Sequence, residues 1–190
     1  MEPEMLRHMI ASAQAGDAGG YEALLQRYGN RLYGYFLRAT GRHHEAEDLL
    51  GELVLRLVRQ LKKYDHRGRF EPWLFRIAAN LVRDWLRRQR SRPQPASLDF
   101  PDAAGLARID RLVSGGRAPY AGLLAGEAAE QLAAALERLE EPTREVILLR
   151  HFGQLSFAEI AGILDCPLGT VLARGHRGLA SLREVLSKDQ

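Results

Sequence analysis

The break Asp165-Cys166-Pro167-Leu168-Gly169 falls between two stretches of helical periodicity and constrains the fold more than any other feature of the chain. Ahead of it, Ser156-Phe157-Ala158-Glu159 has the form of a capping box. In such a box the Ser hydroxyl accepts from the backbone N–H three residues on, and the Glu reaches back. Phe157, Ile160, Ala161 and Leu164 then recur at helical spacing, so one face is buried. Proline lacks the backbone N–H and disfavours helical geometry in the residue before it, which ends the first helix. A second helix restarts near Thr170. Two short helices around a tight break are the grammar of a helix-turn-helix, whose second helix lies in a DNA major groove. A plain helical hairpin meets the same local requirements, so the motif alone leaves both readings open. With Thr170 set on one side of the second helix, Ala173, Arg174, Arg177 and Ser181 fall beside it, and Val171, Leu179, Leu182 and Leu186 fall opposite. The outer side is small and basic. It suits close groove approach, with Arg bonding guanine or phosphate.

Upstream, helical pattern dominates and period-two runs of Val, Ile or Thr are missing. The residues 21–40 carry Leu24, Leu25, Tyr28, Leu32, Tyr35 and Phe36 at helical spacing and end at Gly41, a natural helix stop. The next helix, 43–61, has Ala46, Leu49, Leu50, Leu53, Leu57 and Leu61 on one side. Its acids Glu45, Glu47 and Asp48 stand at the start and Arg59, Lys62 and Lys63 at the end, the order that suits a helix dipole. A turn at 64–69 leads to a third helix from about Pro72, a residue well placed at a first helical position. From 93 to 126 the breakers Pro93, Pro95, Pro101, Gly115, Gly116, Pro119, Gly122 and Gly126 signal a linker, with a short amphipathic piece at 103–113. Helical pattern resumes with Leu132, Ala135, Leu136 and Leu139. The expectation is an all-α chain of two small helical domains, 1–92 and 127–190, joined by the linker 93–126.

Charge is concentrated rather than large. The chain totals +3, but residues 62–92 hold ten Lys/Arg against Asp65, Glu71 and Asp84, so that this segment carries +7 and the remainder −4. Arg76, Asn80, Arg83, Arg87 and Arg90 recur at steps of four, three, four and three, a narrow stripe on one helix face. Leu74, Ala78, Leu81 and Trp85 fall on the other side. A solvated surface usually mixes signs, whereas this stripe has almost no acid at i±4. A polyanion is its natural partner, each neutralised phosphate lowering log K by about 0.9 per log unit of salt on duplex DNA. Tyr64, Phe70, Trp73, Phe75 and Trp85 are interleaved with the charge. Aromatics beside a basic groove stack unpaired bases at roughly 1–3 kcal/mol each. Trp85 and Phe70 are expected to pack, leaving one or two rings to reach a base, and the loop before Pro72, including His66, is where a base edge would be read.

Together these pieces resemble a bacterial RNA polymerase sigma factor of the extracytoplasmic-function (group IV) type. Residues 45–57, beginning Glu45-Ala46-Glu47-Asp48-Leu49, match the family's helix that grips the β′ clamp helices of the polymerase. The resemblance assigns that grip to Glu47, Asp48, Leu49, Glu52, Leu55 and Arg56. Residues 64–80, from Tyr64-Asp65-His66-Arg67-Gly68-Arg69-Phe70 to Asn80, match the segment that melts and reads the −10 element as single-stranded DNA. That implies roles for His66, Arg67, Arg69, Trp73, Arg76, Asn80, Arg83, Asp84, Arg87 and Arg88. Residues 139–150 and 155–178 match region 4, which implies −35 recognition through Thr170, Ala173, Arg174, Arg177 and Ser181 and docking on the β flap. Some residues depart from the family pattern: Leu172 and Ala173 stand where Lys and Ser are usual, Gly175 replaces a larger inward residue, Gly51 replaces Gln, and Val54 and Val58 replace aromatics. A mid-helix Gly costs roughly 0.5–1 kcal/mol. It either permits close helix approach or loosens the reader.

No catalytic constellation is visible, and neither cofactor nor metal is expected. His43 and His44 are adjacent and point to different helix faces, without a Cys or carboxylate cluster at ligand spacing. No Gly-rich phosphate loop follows a strand. The lone Cys166 excludes an internal disulfide, no apolar h-region follows Met1, and no run approaches membrane-span length, so a cytoplasmic protein is expected. The expected partners are core polymerase, promoter DNA and a possible anti-sigma factor. Two alternatives compete: a sigma-like decoy that binds an anti-sigma factor without reading promoters, and a repressor that binds duplex DNA without polymerase.

Overall fold

The computed structural model describes residues 3–91 and 127–188, all eight of whose regular elements are helices. The expected tether at 93–126, with its amphipathic piece at 103–113, lies outside the described residues. The front half comprises α1 (Pro3–Gln14), α2 (Ala18–Thr40), α3 (His43–Leu61) and α4 (Phe70–Ser91). The rear half comprises α5 (Glu127–Glu137), α6 (Glu141–Phe152), α7 (Phe157–Leu164) and α8 (Leu168–Lys188).

Local chemistry sets most of these boundaries. The Asp17 carboxylate accepts from Gly19 N–H at 3.1 Å, which starts α2 three residues before the apolar pattern at Tyr21 does. Gly41 ends α2 in the left-handed region at φ 70°, its N–H donating to the Leu37 carbonyl at 2.8 Å. Helix α4 starts at Phe70, two residues earlier than Pro72 suggests, because Trp73 N–H donates to Arg69 O at 3.2 Å and closes a turn ahead of the proline. The capping box is complete: Ser156 Oγ accepts from Glu159 N–H at 3.3 Å, and Glu159 Oε2 accepts from Ser156 N–H at 2.8 Å. The break after α7 rests first on Asp165, a non-glycine residue held at φ 51°, with Pro167 following it. Helix α8 accordingly begins at Leu168, ahead of Thr170. Ser156→Ala is expected to cost about 1 kcal/mol, read as a lower denaturation midpoint for the rear helices.

Phe36, Leu53, Leu74, Phe75 and Leu81 fill the front core, and Val146, Leu149, Ile160 and Val171 fill the rear one. Helix α1 lies close against α2 at Gly20, where a Cβ would stand 2.3 Å from the Ala13 backbone nitrogen. Arg144 closes the α5–α6 corner by donating to the carbonyls of Leu136, Glu137 and Leu139 at 2.7–3.0 Å. The two halves also pack on each other, α2 against α6 and α4 against α7, so that one apolar cluster runs through both. Sequence periodicity gave no sign of that seam.

Candidate nucleic-acid interface

Helix α4 separates its two faces as the spacing predicts. Leu74, Ala78 and Leu81 are buried, while Arg76, Asn80, Arg87 and Arg90 stay exposed and Arg83 is half-buried. Trp85 leans toward α3, its Nε1–H donating to Glu45 Oε2 at 2.6 Å. There it lines a groove of about 300 Å³ with Glu45, Asp48, Glu52 and the exposed Arg88. Asp84 serves the surface by pairing with Arg87 at 3.0 Å and Arg56 at 3.8 Å.

Before α4, the loop stands on an aromatic cluster. Phe70 is fully buried, Trp73 and Tyr64 lie half-exposed with ring centroids 4.4 Å apart, and both rings pack on Phe70. His66 Nδ1 lies 3.4 Å from the Tyr64 hydroxyl. Arg67 is exposed and pairs with Asp65 at 2.7 Å, and Arg69 is exposed. Beneath them, Tyr28 donates to Glu71 at 2.7 Å. Burial, reinforced by Glu71, pushes its phenol up to about 12. Of the five interleaved aromatics, Phe70 and Phe75 belong to the core, whereas Tyr64 and Trp73 offer ring surface beside the loop.

Helix α8 presents Ala173, Arg177 and Ser181 to solvent, with Thr170 and Arg174 half-buried beside them. Val171 and Leu182 turn inward, but Leu179 does not: it is 47% exposed. The side chain of Leu186 is outside the described residues. Gly175 is buried against α7, and a Cβ there would sit 2.8 Å from the Phe157 ring. The missing side chain therefore makes room for Phe157, which favours close helix approach over a loosened reader.

On α3, Asp48 and Leu55 are exposed, Glu47 is half-buried, and Glu52 and Arg56 pair at 2.6 Å. Leu49 points into the core at 3% exposure, so contacts made by this face fall to its neighbours. His43 Nδ1 meets the Tyr33 hydroxyl at 2.7 Å, and His44 faces Asp48 at 3.6 Å.

The seam engages the stripe. Glu145 accepts from Arg83 at 2.9 Å, Glu141 pairs with Arg90, and Arg76 donates to the Gly162 carbonyl at 3.3 Å. The stripe is thus held but not sunk in the core: Arg76 is exposed and donates to a carbonyl, and Arg88 is exposed. Burial raises the Glu145 carboxyl above its ordinary range more than Arg83 lowers it, and burial likewise raises the Tyr35 phenol. Tyr35 Oη and Arg83 Nη2 are buried with no hydrogen-bond partner among the described residues. Each such group costs about 1–3 kcal/mol. Exposed pairs such as Arg90–Glu141 contribute only about 0–1 kcal/mol. The seam roles of Glu141, Glu145, Arg31 and Gly34 escaped sequence reasoning; the −4 carried outside the basic segment was the one available signal.

A family model for Sigma-70 region 2 matches residues 24–92, and one for Sigma-70 region 4 matches residues 129–182. The chain is 30% identical to the ECF RNA polymerase sigma factor SigW of Bacillus subtilis over 182 residues, covering 96% of this chain and 97% of that protein. It is 33% identical to the RNA polymerase sigma factor CarQ of Myxococcus xanthus over 174 residues, 91% and 92% of the two chains. Among solved structures, CnrH in complex with the cytosolic domain of CnrY aligns at TM-score 0.64 and 25% identity, over 97% of this chain and 98% of that one. The fold is shared with the sigma factor RpoE of Bartonella quintana, solved with the anti-sigma factor NepR, at TM-score 0.65 and 21% identity over 90% of this chain and 98% of that one.

Proposed function

We infer the roles of these surfaces from one premise: the chain belongs to the sigma-70 family, as a sigma factor of the extracytoplasmic-function type. It is a promoter-specificity factor. In this reading residues 1–92 dock on core polymerase through α3 and capture the −10 element, 93–126 tether, and 127–190 place α8 at the −35 element. The chemistry of RNA synthesis belongs to the polymerase, and the protein works in the cytoplasm; no helix among the described residues is long and apolar enough to cross a membrane.

The division of labour follows from what each surface offers. The α4 stripe supplies guanidiniums for phosphates, and the loop above Phe70 supplies Tyr64, His66 and Trp73 for unpaired bases. Helix α8 supplies Arg174 and Arg177 behind small residues that allow groove approach. The observation that carries the reading is the pairing of two family matches, in order, with a cationic stripe on the first and a small, basic helix face on the second. CnrH, solved in complex with the cytosolic domain of CnrY, supports a protein partner such as an anti-sigma factor here as well. The decoy alternative loses part of its motivation, since Gly175 has a packing reason in Phe157.

Arg83→Ala or Arg87→Ala is expected to weaken open-complex formation by the holoenzyme. Each should flatten its log–log salt dependence by about 0.7–0.9, one phosphate's worth. Arg174→Ala or Arg177→Ala is expected to weaken binding of duplex −35 fragments instead. Run-off transcription on a promoter library, with salt titrations, checks both. Equal effects of all four substitutions on both elements would refute two separate readers, and failure to bind core polymerase at low salt would refute the reading as a whole.

A further inference from the structure

Helix α1 lies ahead of residues 24–92, the stretch matched by the region 2 family model, so nothing said so far gives it a task. Its seat on α2 is firm. Ile10 and Ala13 are fully buried, Gly20 lets α2 approach the Ala13 backbone, and Ser12 Oγ donates to Asp17 Oδ2 at 2.5 Å across the turn between the two helices. Gln14, the next residue after Ala13, reaches instead to the end of α3. Its side-chain amide donates to the Leu61 carbonyl at 3.0 Å and to the Tyr64 carbonyl at 2.7 Å. Both hydrogens of the NH2 group are thereby used, and two carbonyls can face only that end of the amide. The Leu61 oxygen also accepts from Tyr64 N–H at 3.0 Å, so the last turn of α3 holds it even without Gln14. The Tyr64 oxygen stands past the helix, where the chain enters the loop. A peptide unit is planar, so holding that oxygen also aims the Asp65 N–H and sets the direction in which the chain leaves for His66. The Tyr64 ring, for its part, lies 4.4 Å from Trp73 by centroids, and its hydroxyl is 3.4 Å from His66 Nδ1. Tyr64 thus faces the loop with its ring and α1 with its backbone.

We propose that Gln14 is a positioning residue of the single-strand reader: its amide ties the start of the loop 64–69 to α1 and so holds the Tyr64–Trp73 ring pair and His66 ready for an unpaired base. This rests on the assignment of that loop to the unpaired −10 bases. Phe70 supports the loop from below and Gly68 turns it at φ 74°, but neither fixes the peptide that follows Tyr64. Gln14 does so from a helix already locked on α2, which spares the complex the cost of ordering the loop when a base arrives. Gln14 touches no nucleic acid in this role. It governs how well bases are told apart, while the exposed arginines of α4 govern how strongly the backbone is held whatever its sequence.

Two variants remove the donor and keep the length of the side chain: Gln14→Met, which is apolar, and Gln14→Glu, whose ionised carboxylate only accepts. The holoenzyme of each is titrated against two fluorescein-labelled single strands, one carrying the −10 sequence that wild type selects from a promoter library and one with the same bases scrambled. The quantity read is the ratio of the two affinities. Both variants are expected to lower that ratio roughly tenfold, about what one lost hydrogen bond is worth, through weaker binding of the selected strand alone. Binding of the scrambled strand and pull-down by core polymerase stay at wild-type levels. A residue that served stability alone would reduce the active fraction toward both strands equally and leave the ratio untouched. A wild-type ratio in either variant therefore overturns the role of Gln14. The double variant His66→Ala, Trp73→Ala tests the premise separately. If it discriminates like wild type, the loop is not the reader and the proposal falls with it; if it loses discrimination while Q14M and Q14E keep theirs, only the role of Gln14 fails.

Discussion

Alanine in place of Phe70 is expected to destabilise the front half by about 3–5 kcal/mol, the cost of deleting a fully buried aromatic. Phe70 is 0% exposed and is the ring on which Tyr28, Tyr64 and Trp73 all rest. Its removal takes the floor from the loop that carries His66 and Arg67. Two readouts should part: below the unfolding midpoint, pull-down by core polymerase through α3 persists, while promoter opening is lost. Trp73→Ala provides the contrast. That ring is half-exposed, so its loss should cost less stability yet impair opening comparably if the ring stacks a base. A Phe70→Ala protein that unfolds at the wild-type denaturant concentration would contradict the core role given to this ring.

Leucine in place of Gly175 is expected to cost the rear half about 1–3 kcal/mol from overpacking, offset by about 0.5–1 kcal/mol of recovered helix propensity. The Cβ alone would stand 2.8 Å from the Phe157 ring, so Gly175→Ala should already destabilise in part. The consequence falls on geometry: α8 moves off α7, and duplex −35 binding is lost while polymerase docking through α3 is retained. Combining Gly175→Leu with Phe157→Ala should recover part of the loss, because the two residues contend for one space and their effects are not additive. A Gly175→Leu variant that melts above wild type and still binds duplex would show that the close approach of the two helices is dispensable.

Much of the fold could be read from neighbours in sequence. The Gly41 stop, the Ser156–Glu159 box and the two faces of α4 stand where spacing and capping put them, since each depends on residues within a turn or two. Helix starts were less accurate where an unremarked group intervened, as with Asp17 before α2 and Arg69 before α4. Leu179 was misplaced because it stands at the edge of the inward face that Val171, Gly175, Gly178 and Leu182 define, and the covered positions continue past it to Val185. Leu49 is the reverse case: its place in a motif suggested contact, while its helical register sends it inward.

By itself, then, the amino-acid sequence determined most of the helical order from α2 onward, the cationic line on α4 and the small, basic face of α8, because capping, periodicity and charge spacing act over a few residues. Only tertiary structure decided that Arg83 meets Glu145, 62 positions away, and that Arg31 reaches Phe152 across 121. Nothing local fixes the separation of residues so distant along the chain. Their meeting depends on how the Phe152 ring fits over Gly34 and on the balance between buried, partly unpaired charge and the apolar surface sealed beneath it.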